Sequence, residues 1–242
     1  MTPRERLIVA LDISSADQAR HLVATLGGTV GAFKVGKQLF TSEGPALVRE
    51  LVAGGHRVFL DLKFHDIPTT VAAAVRAASA LGVSMLTVHA AGGSRMLRAA
   101  VAAAREAPNP PLVLAVTVLT SMVEEDMHEG GVPGSVVDQV LRLAALAAST
   151  GCGGIVTSAR EAQEARLELG PGFAIVTPGV RPATGAHGDP DDQVRVVTPA
   201  QAIAAGVSHI VVGRPITKAP DPAAVARQVV DEIASVKVNS PA

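Results

Sequence analysis

The chain has 242 residues, 48% of them hydrophobic and 18% charged, with a formal net charge of −1. That balance supports one large core and argues against a basic nucleic-acid-binding surface. The single cysteine, Cys152, excludes an internal disulfide and suits a reducing cytosol, where a buried structural thiol is expected.

The opening residues lead into Leu7-Ile8-Val9-Ala10-Leu11, which Asp12 interrupts. That apolar run is too short for a signal peptide or a membrane span. From there to the end, short β-rich runs alternate with longer Ala/Leu/Arg/Glu stretches, the pattern of βα units on a parallel sheet. Eight strands are predicted, at 7–11, 32–35, 58–62, 85–89, 112–119, 154–157, 174–177 and 209–212. Ser15-Ala16-Asp17-Gln18 and Thr198-Pro199-Ala200-Gln201 match the capping box that starts a helix, and Gly27, Gly28, Gly54, Gly55, Gly82 and Gly206 fall where helices should stop. Eight such units in 242 residues close most naturally into a single-domain (β/α)8 TIM barrel over residues 1–242.

In such a barrel catalytic groups sit at the C-terminal ends of the strands. Polar residues fall there throughout: Asp12, Lys34, Asp61 with Lys63, His89, Thr117 with Thr120, Thr157 with Ser158, Thr177 and Gly213 with Arg214. The third strand carries the strongest signal, Asp61-Leu62-Lys63-Phe64-His65-Asp66, an Asp-x-Lys-x-x-Asp array. Buried charges cost several kcal/mol unless paired, so the array reads as a lysine kept protonated by carboxylates, a fixed proton donor. His65 reads as a packed or hydrogen-bonded structural residue on the opposite side of the segment. Two stretches break the rhythm of short loops. Residues 121–134, rich in acid and glycine, read as a mobile cover or a solvated connector, and 181–197 as a lid over strands seven and eight. Gly179, Arg181, Gly213 and Arg214 fall on the loops where barrels of this type bind phosphate.

The seven histidines show no H-x-x-x-H or H-E-x-x-H spacing, and no Walker loop or G-x-G-x-x-G follows the first strand. No metal site or nucleotide cofactor is expected.

Phe59-Leu60-Asp61-Leu62-Lys63-Phe64-His65-Asp66-Ile67-Pro68, with Thr69-Thr70, resembles the central motif of the orotidine 5'-phosphate decarboxylase family. Ile8-Val9-Ala10-Leu11-Asp12, Phe33-Lys34-Val35-Gly36, Val116-Thr117-Val118-Leu119-Thr120-Ser121, Thr177-Pro178-Gly179-Val180-Arg181-Pro182 and Val211-Val212-Gly213-Arg214-Pro215-Ile216 follow in the family's order. The resemblance spans residues 6–233. It implies metal-free, cofactor-free decarboxylation of orotidine 5'-phosphate to UMP in a cytoplasmic homodimer that needs no nucleic acid or membrane. Lys63 would stabilise and protonate the C6 carbanion, within a charge network of Asp61, Asp66 and Lys34. Asp66 and Thr70 would act across the dimer interface. Asp12 and Lys34 would bind the ribose, Thr120 the pyrimidine, and Gln193, Arg214 and the Gly213 amide the phosphate, with Arg181 nearby. One departure is that the loop from Arg181 to Gln193 is a few residues longer than the family's bacterial pattern. The alternative is a magnesium-dependent sugar-phosphate decarboxylase or aldolase of the same barrel suprafamily, which would carry an acidic metal ligand where Lys34 stands.

Overall fold

Strand-forming runs of β-branched and aliphatic residues place eight short strands in register: β1 Leu7–Ala10, β2 Ala32–Gly36, β3 Val58–Phe64, β4 Met85–His89, β5 Leu112–Val116, β6 Gly154–Val156, β7 Ala174–Thr177 and β8 His209–Val212. In the computed structural model, which describes residues 1–182 and 197–236, each strand pairs in parallel with the next and β8 closes on β1. The first strand links both neighbours, with Ile8 opposite Ala32 on β2 and opposite Val211 on β8.

Strand alternation divides the apolar residues into two cores. Ile8, Ala10, Ala32, Phe59, Met85, Leu114, Val176 and Val211 fill the barrel interior. Leu7, Val9, Phe33, Val35, Val58, Leu60, Leu86 and Val88 point outward against the helices. Burying each such side chain contributes about 1.5–3 kcal/mol. The interior is thus a packed plug, and a ligand is confined to the rim above it.

The main outer helices are α1 Ala16–Leu26, α2 Lys37–Ala53, α3 Pro68–Ser79, α4 Gly93–Arg105, α5 Glu124–Glu129, α6 Val136–Ser149, α7 Ala162–Leu169, α8 Pro199–Ala204, α9 Arg214–Thr217 and α10 Pro222–Ala234. Ser15 caps α1 by accepting from the Gln18 amide at 3.4 Å, whereas Thr198 and Gln201 close both limbs of the box on α8 at 3.2 and 2.9 Å. Gly55 and Gly206, at φ 82° and 91°, turn the chain after α2 and α8 in a conformation that other residues resist. Inside α2 a non-helical Gly44 ahead of Pro45 kinks the axis. Among the described residues no helix is long and apolar enough to cross a membrane. Cys152 is buried, as expected, and burial raises its thiol pKa.

Three expectations need correction. The fifth strand stops at Val116 rather than 119, and the third continues to Phe64. The 121–134 stretch is more than a connector, because α5 forms within it, anchored by buried Met127. Its three acids occupy the helix's first turn, where the macrodipole favours negative charge, and the Asp126 carboxylate accepts from the Val123 amide at 2.9 Å. The expected lid at 181–197 falls mostly outside the described residues. Its two ends are joined, since the Arg181 amide donates to the Val197 carbonyl at 3.0 Å.

The barrel's lower end contains an acid-sensitive group. His209 opens β8 at 7% exposure, and its Nδ1 is buried with no hydrogen-bond partner. Burial, reinforced by Arg57 and Arg6, lowers its pKa from 6.5 to about 4. The unfolded chain therefore binds a proton near pH 6.5 that the native chain refuses until about pH 4, so stability falls as pH drops through that window. The expected loss is on the order of 3 kcal/mol by pH 4. Denaturant titrations at pH 7 and pH 4.5 should show that difference shrinking in His209→Gln; an unchanged difference would contradict this assignment.

Candidate active site

Alternation sets which polar side chains face the rim. Asp12 continues the inward series of Ile8 and Ala10, Lys34 follows Ala32, and Asp61 and Lys63 follow Phe59. They meet as an alternating chain. Lys34 Nζ lies 2.9 Å from Asp12 Oδ1 and 3.7 Å from Asp61 Oδ2, and Lys63 Nζ donates to both Asp61 oxygens at 2.9 Å. Lys34 and Asp61 are each only 12% exposed. Burial works against the ionised Asp61, but Lys34 and Lys63, then hydrogen bonds from Lys63 and Thr87, outweigh it. Its pKa lies below the usual 3.8.

The backbone around this array is unusual. Lys63 has φ 54°, and among the described residues it is the one non-glycine with positive φ. Pairing between β3 and β4 shifts register between Leu60 and Phe64. Gly36 contributes space: a Cβ there would lie 3.0 Å from Lys34 Nζ and 3.1 Å from Asp12 Oδ1.

Above the array opens a cavity of about 530 Å3. Asp12, Lys34, Asp61 and Lys63 line its floor, while Thr120, Gly179, Arg181, Gly213 and Arg214 line its sides. Sequence reasoning missed Gln38, Lys218 and the apolar wall of Val116, Val118 and Val156. Lys218 had a signal, since it follows Arg214 by four residues across the short α9 and so shares its face.

Two predicted members stand apart. Asp66 does not join the array within its own chain: it is exposed, and its carboxylate accepts from the Ile67 amide at 2.6 Å. It lines a separate open depression with His65, Ile67, Pro68, Gly92 and Arg95. Thr70, in the first turn of α3, is also exposed and does not line the cavity. Gln193 lies outside the described residues. His65 is exposed rather than packed in the core, and its ring contacts His89 at 5.4 Å. Burial, followed by the charges of His65, Lys37 and Lys63, lowers the His89 pKa.

Among the described lining residues, five cations (Lys34, Lys63, Arg181, Arg214 and Lys218) face two carboxylates, Asp12 and Asp61. A cavity of this size and sign, at the C-terminal face of a closed parallel barrel, defines a (β/α)8 enzyme acting on a small anionic molecule. The family model for "Orotidine 5'-phosphate decarboxylase / HUMPS family" matches residues 5–229, and the chain belongs to this family.

Similar proteins narrow the comparison. The orotidine 5'-phosphate decarboxylase of Hahella chejuensis is 51% identical over 231 residues, covering 96% of this chain and 98% of its own. That of Halorhodospira halophila is 53% identical over 230 residues, covering 95% and 96%. The crystal structure of orotidine 5'-phosphate decarboxylase from Lactobacillus acidophilus superimposes with a TM-score of 0.84 at 37% identity, covering 95% of this chain and 99% of that one.

If Lys34 is a main support of ionised Asp61, removing its charge leaves burial less opposed. In Lys34→Met the Asp61 pKa should rise, as read by carboxyl NMR titration. An Asp61 that titrates as in the parent would show that Lys63 and Thr87 suffice.

Proposed function

We propose that this chain catalyses the metal- and cofactor-independent decarboxylation of orotidine 5'-phosphate to UMP, the reaction named for its relatives. The observation that carries the reading is the Lys63 ammonium fixed at 2.9 Å from both Asp61 oxygens on the floor of a cation-rich cavity. The bond from pyrimidine C6 to the carboxyl carbon breaks, carbon dioxide leaves, and the electron pair stays at C6 in the ring plane. No ring carbonyl delocalises that pair, so a preorganised cation must stabilise it. Lys63 supplies the cation and then transfers an Nζ proton to C6, giving UMP.

Asp61 lies beside the departing carboxylate and, with Lys34, holds Lys63 in place. Asp12 and Lys34 take the ribose hydroxyls, and Thr120 the pyrimidine. Arg181, Arg214 and the Gly213 amide hold the phosphate together with Gln193. The magnesium-dependent alternative has little support, because Lys34 stands beside both carboxylates and would repel a second cation.

The whole chain acts as one barrel domain, and the working unit is a cytoplasmic homodimer. Asp66 and Thr70 reach the neighbouring subunit's site, which suits their exposed positions beside Ile67, an apolar side chain left 64% exposed.

The primary test follows the ultraviolet absorbance of orotidine 5'-phosphate with excess chelator present. Undiminished turnover is expected, whereas magnesium-dependent turnover of a sugar phosphate would replace this reading with the alternative. Lys63→Ala should fold and dimerise yet lose decarboxylation almost completely. Co-expressing inactive Lys63→Ala and Asp66→Asn chains tests the shared site. Mixed dimers should regain activity, because one of their two sites then has both native residues. No recovery would place Asp66 in its own subunit's chemistry.

A further inference from the structure

The register shift in β3 creates a local deficit that one residue of β4 fills. Leu60 pairs with Leu86 and Phe64 with Val88, so Asp61, Leu62 and Lys63 stand opposite Thr87 alone. A bulge of this kind breaks the backbone ladder and leaves an amide to be satisfied elsewhere. That amide belongs to Lys63, the residue with positive φ, and it donates to Thr87 Oγ1 at 2.9 Å. The same hydroxyl donates to Asp61 Oδ1 at 2.9 Å. Since an ionised carboxylate only accepts, the direction of both bonds is fixed: Thr87 accepts from the Lys63 backbone and gives its one proton to Asp61.

We infer that Thr87 is a positioning residue for decarboxylation, holding the backbone of Lys63 and the carboxylate plane of Asp61 through one hydroxyl. Thr87 is 0% exposed and does not line the cavity, so it acts only through these two groups. Asp61 Oδ1 receives Thr87 and Lys63, while Oδ2 receives Lys63 and faces Lys34. Removing the hydroxyl frees the carboxylate to rotate and leaves the Lys63 amide without its acceptor. The ammonium then loses the fixed placement that proton delivery to one carbon requires. The phosphate contacts lie on other strands and loops and are untouched, and of the ribose contacts Lys34 adjoins Asp61 but keeps its closer partner, Asp12, at 2.9 Å.

The test compares Thr87→Val, which keeps the shape and deletes the hydroxyl, with Thr87→Ser, which keeps the hydroxyl. Thr87→Val should lose about tenfold or more in kcat, with KM and UMP affinity within about threefold of the parent. The acid limb of its kcat profile should move to higher pH, because Asp61 has lost one of the groups that keep it ionised. Thr87→Ser should recover most of kcat and return the acid limb to its parental position. Parental kcat in Thr87→Val would overturn the inference. So would equal losses in both variants with an unmoved acid limb, the pattern expected of a packing role. If Thr87→Val does not fold, Thr87→Ala is compared with Thr87→Ser in its place.

The inference rests on the proposed roles of Lys63 and Asp61, and Lys63→Ala assayed alongside separates the two. Turnover by Lys63→Ala would defeat that reading. Inactive Lys63→Ala beside fully active Thr87→Val would defeat this inference alone.

Discussion

A carboxylate held between two ammonium groups is the constraint around which the upper barrel is arranged. Moving any one of these charges out of water costs several kcal/mol, and two of the three side chains are only 12% exposed. Attraction between unit charges at about 4 Å recovers about 4 kcal/mol per pair at an effective dielectric near 20. Asp61 takes part in two such pairs and also receives the Thr87 hydroxyl, so its ionised form survives burial. Lys63 is stabilised only where that carboxylate stays, and Lys34 draws on it together with Asp12. Each member is therefore costly alone and tolerable in the set, which makes the set behave as one unit.

The barrel supplies what a single strand cannot. Parallel pairing brings Lys34 of β2, Asp61 and Lys63 of β3 and Thr87 of β4 together at the C-terminal end of the barrel, although they span more than fifty residues of sequence. Phe59 and Met85 fill the layer beneath, so the charged side chains cannot relax downward. A closed sheet has no edge through which the array can spread apart. The bulge in β3 is accommodated because β4 provides a hydroxyl where the ladder would have provided a carbonyl.

These causes explain what was legible in the sequence. Strand positions were readable because runs such as Leu7-Ile8-Val9-Ala10 and His209-Ile210-Val211-Val212 carry their own β preference, and the barrel rule put Asp12, Lys34, Asp61 and Lys63 at the C-terminal ends of their strands. Thr87 was not, since its importance comes from a register shift, a relation between two strands that neither one encodes. The separation of Asp66 from Asp61 was half legible: the Asp-x-Lys-x-x-Asp spacing suggested mutual pairing, yet the strand ends at Phe64 and the chain turns away before Asp66. The α5 helix was obscured by the loop-like composition of its segment, because within Glu124–Glu129 the one apolar residue is Met127, which is buried.

The cavity's electrostatics act in opposite directions at two ranges. Five cations against two carboxylates draw an anion to the mouth over several ångströms. At the floor, Asp61 presents negative charge to whatever lies beside Lys63. On the proposed reading, a substrate carboxylate placed there is disfavoured locally, so contacts at the distant phosphate must hold it in position. Those contacts persist after carbon dioxide leaves, whereas the local repulsion does not. On the same reading, binding energy gathered at Arg181 and Arg214 would be converted into a preference for the state in which the carboxylate has gone and the electron pair at C6 faces the ammonium of Lys63. That conversion works only if Lys63 and Asp61 keep their positions when the carboxylate arrives, which is why the rigidity of the β3 and β4 contact matters as much as the charges themselves.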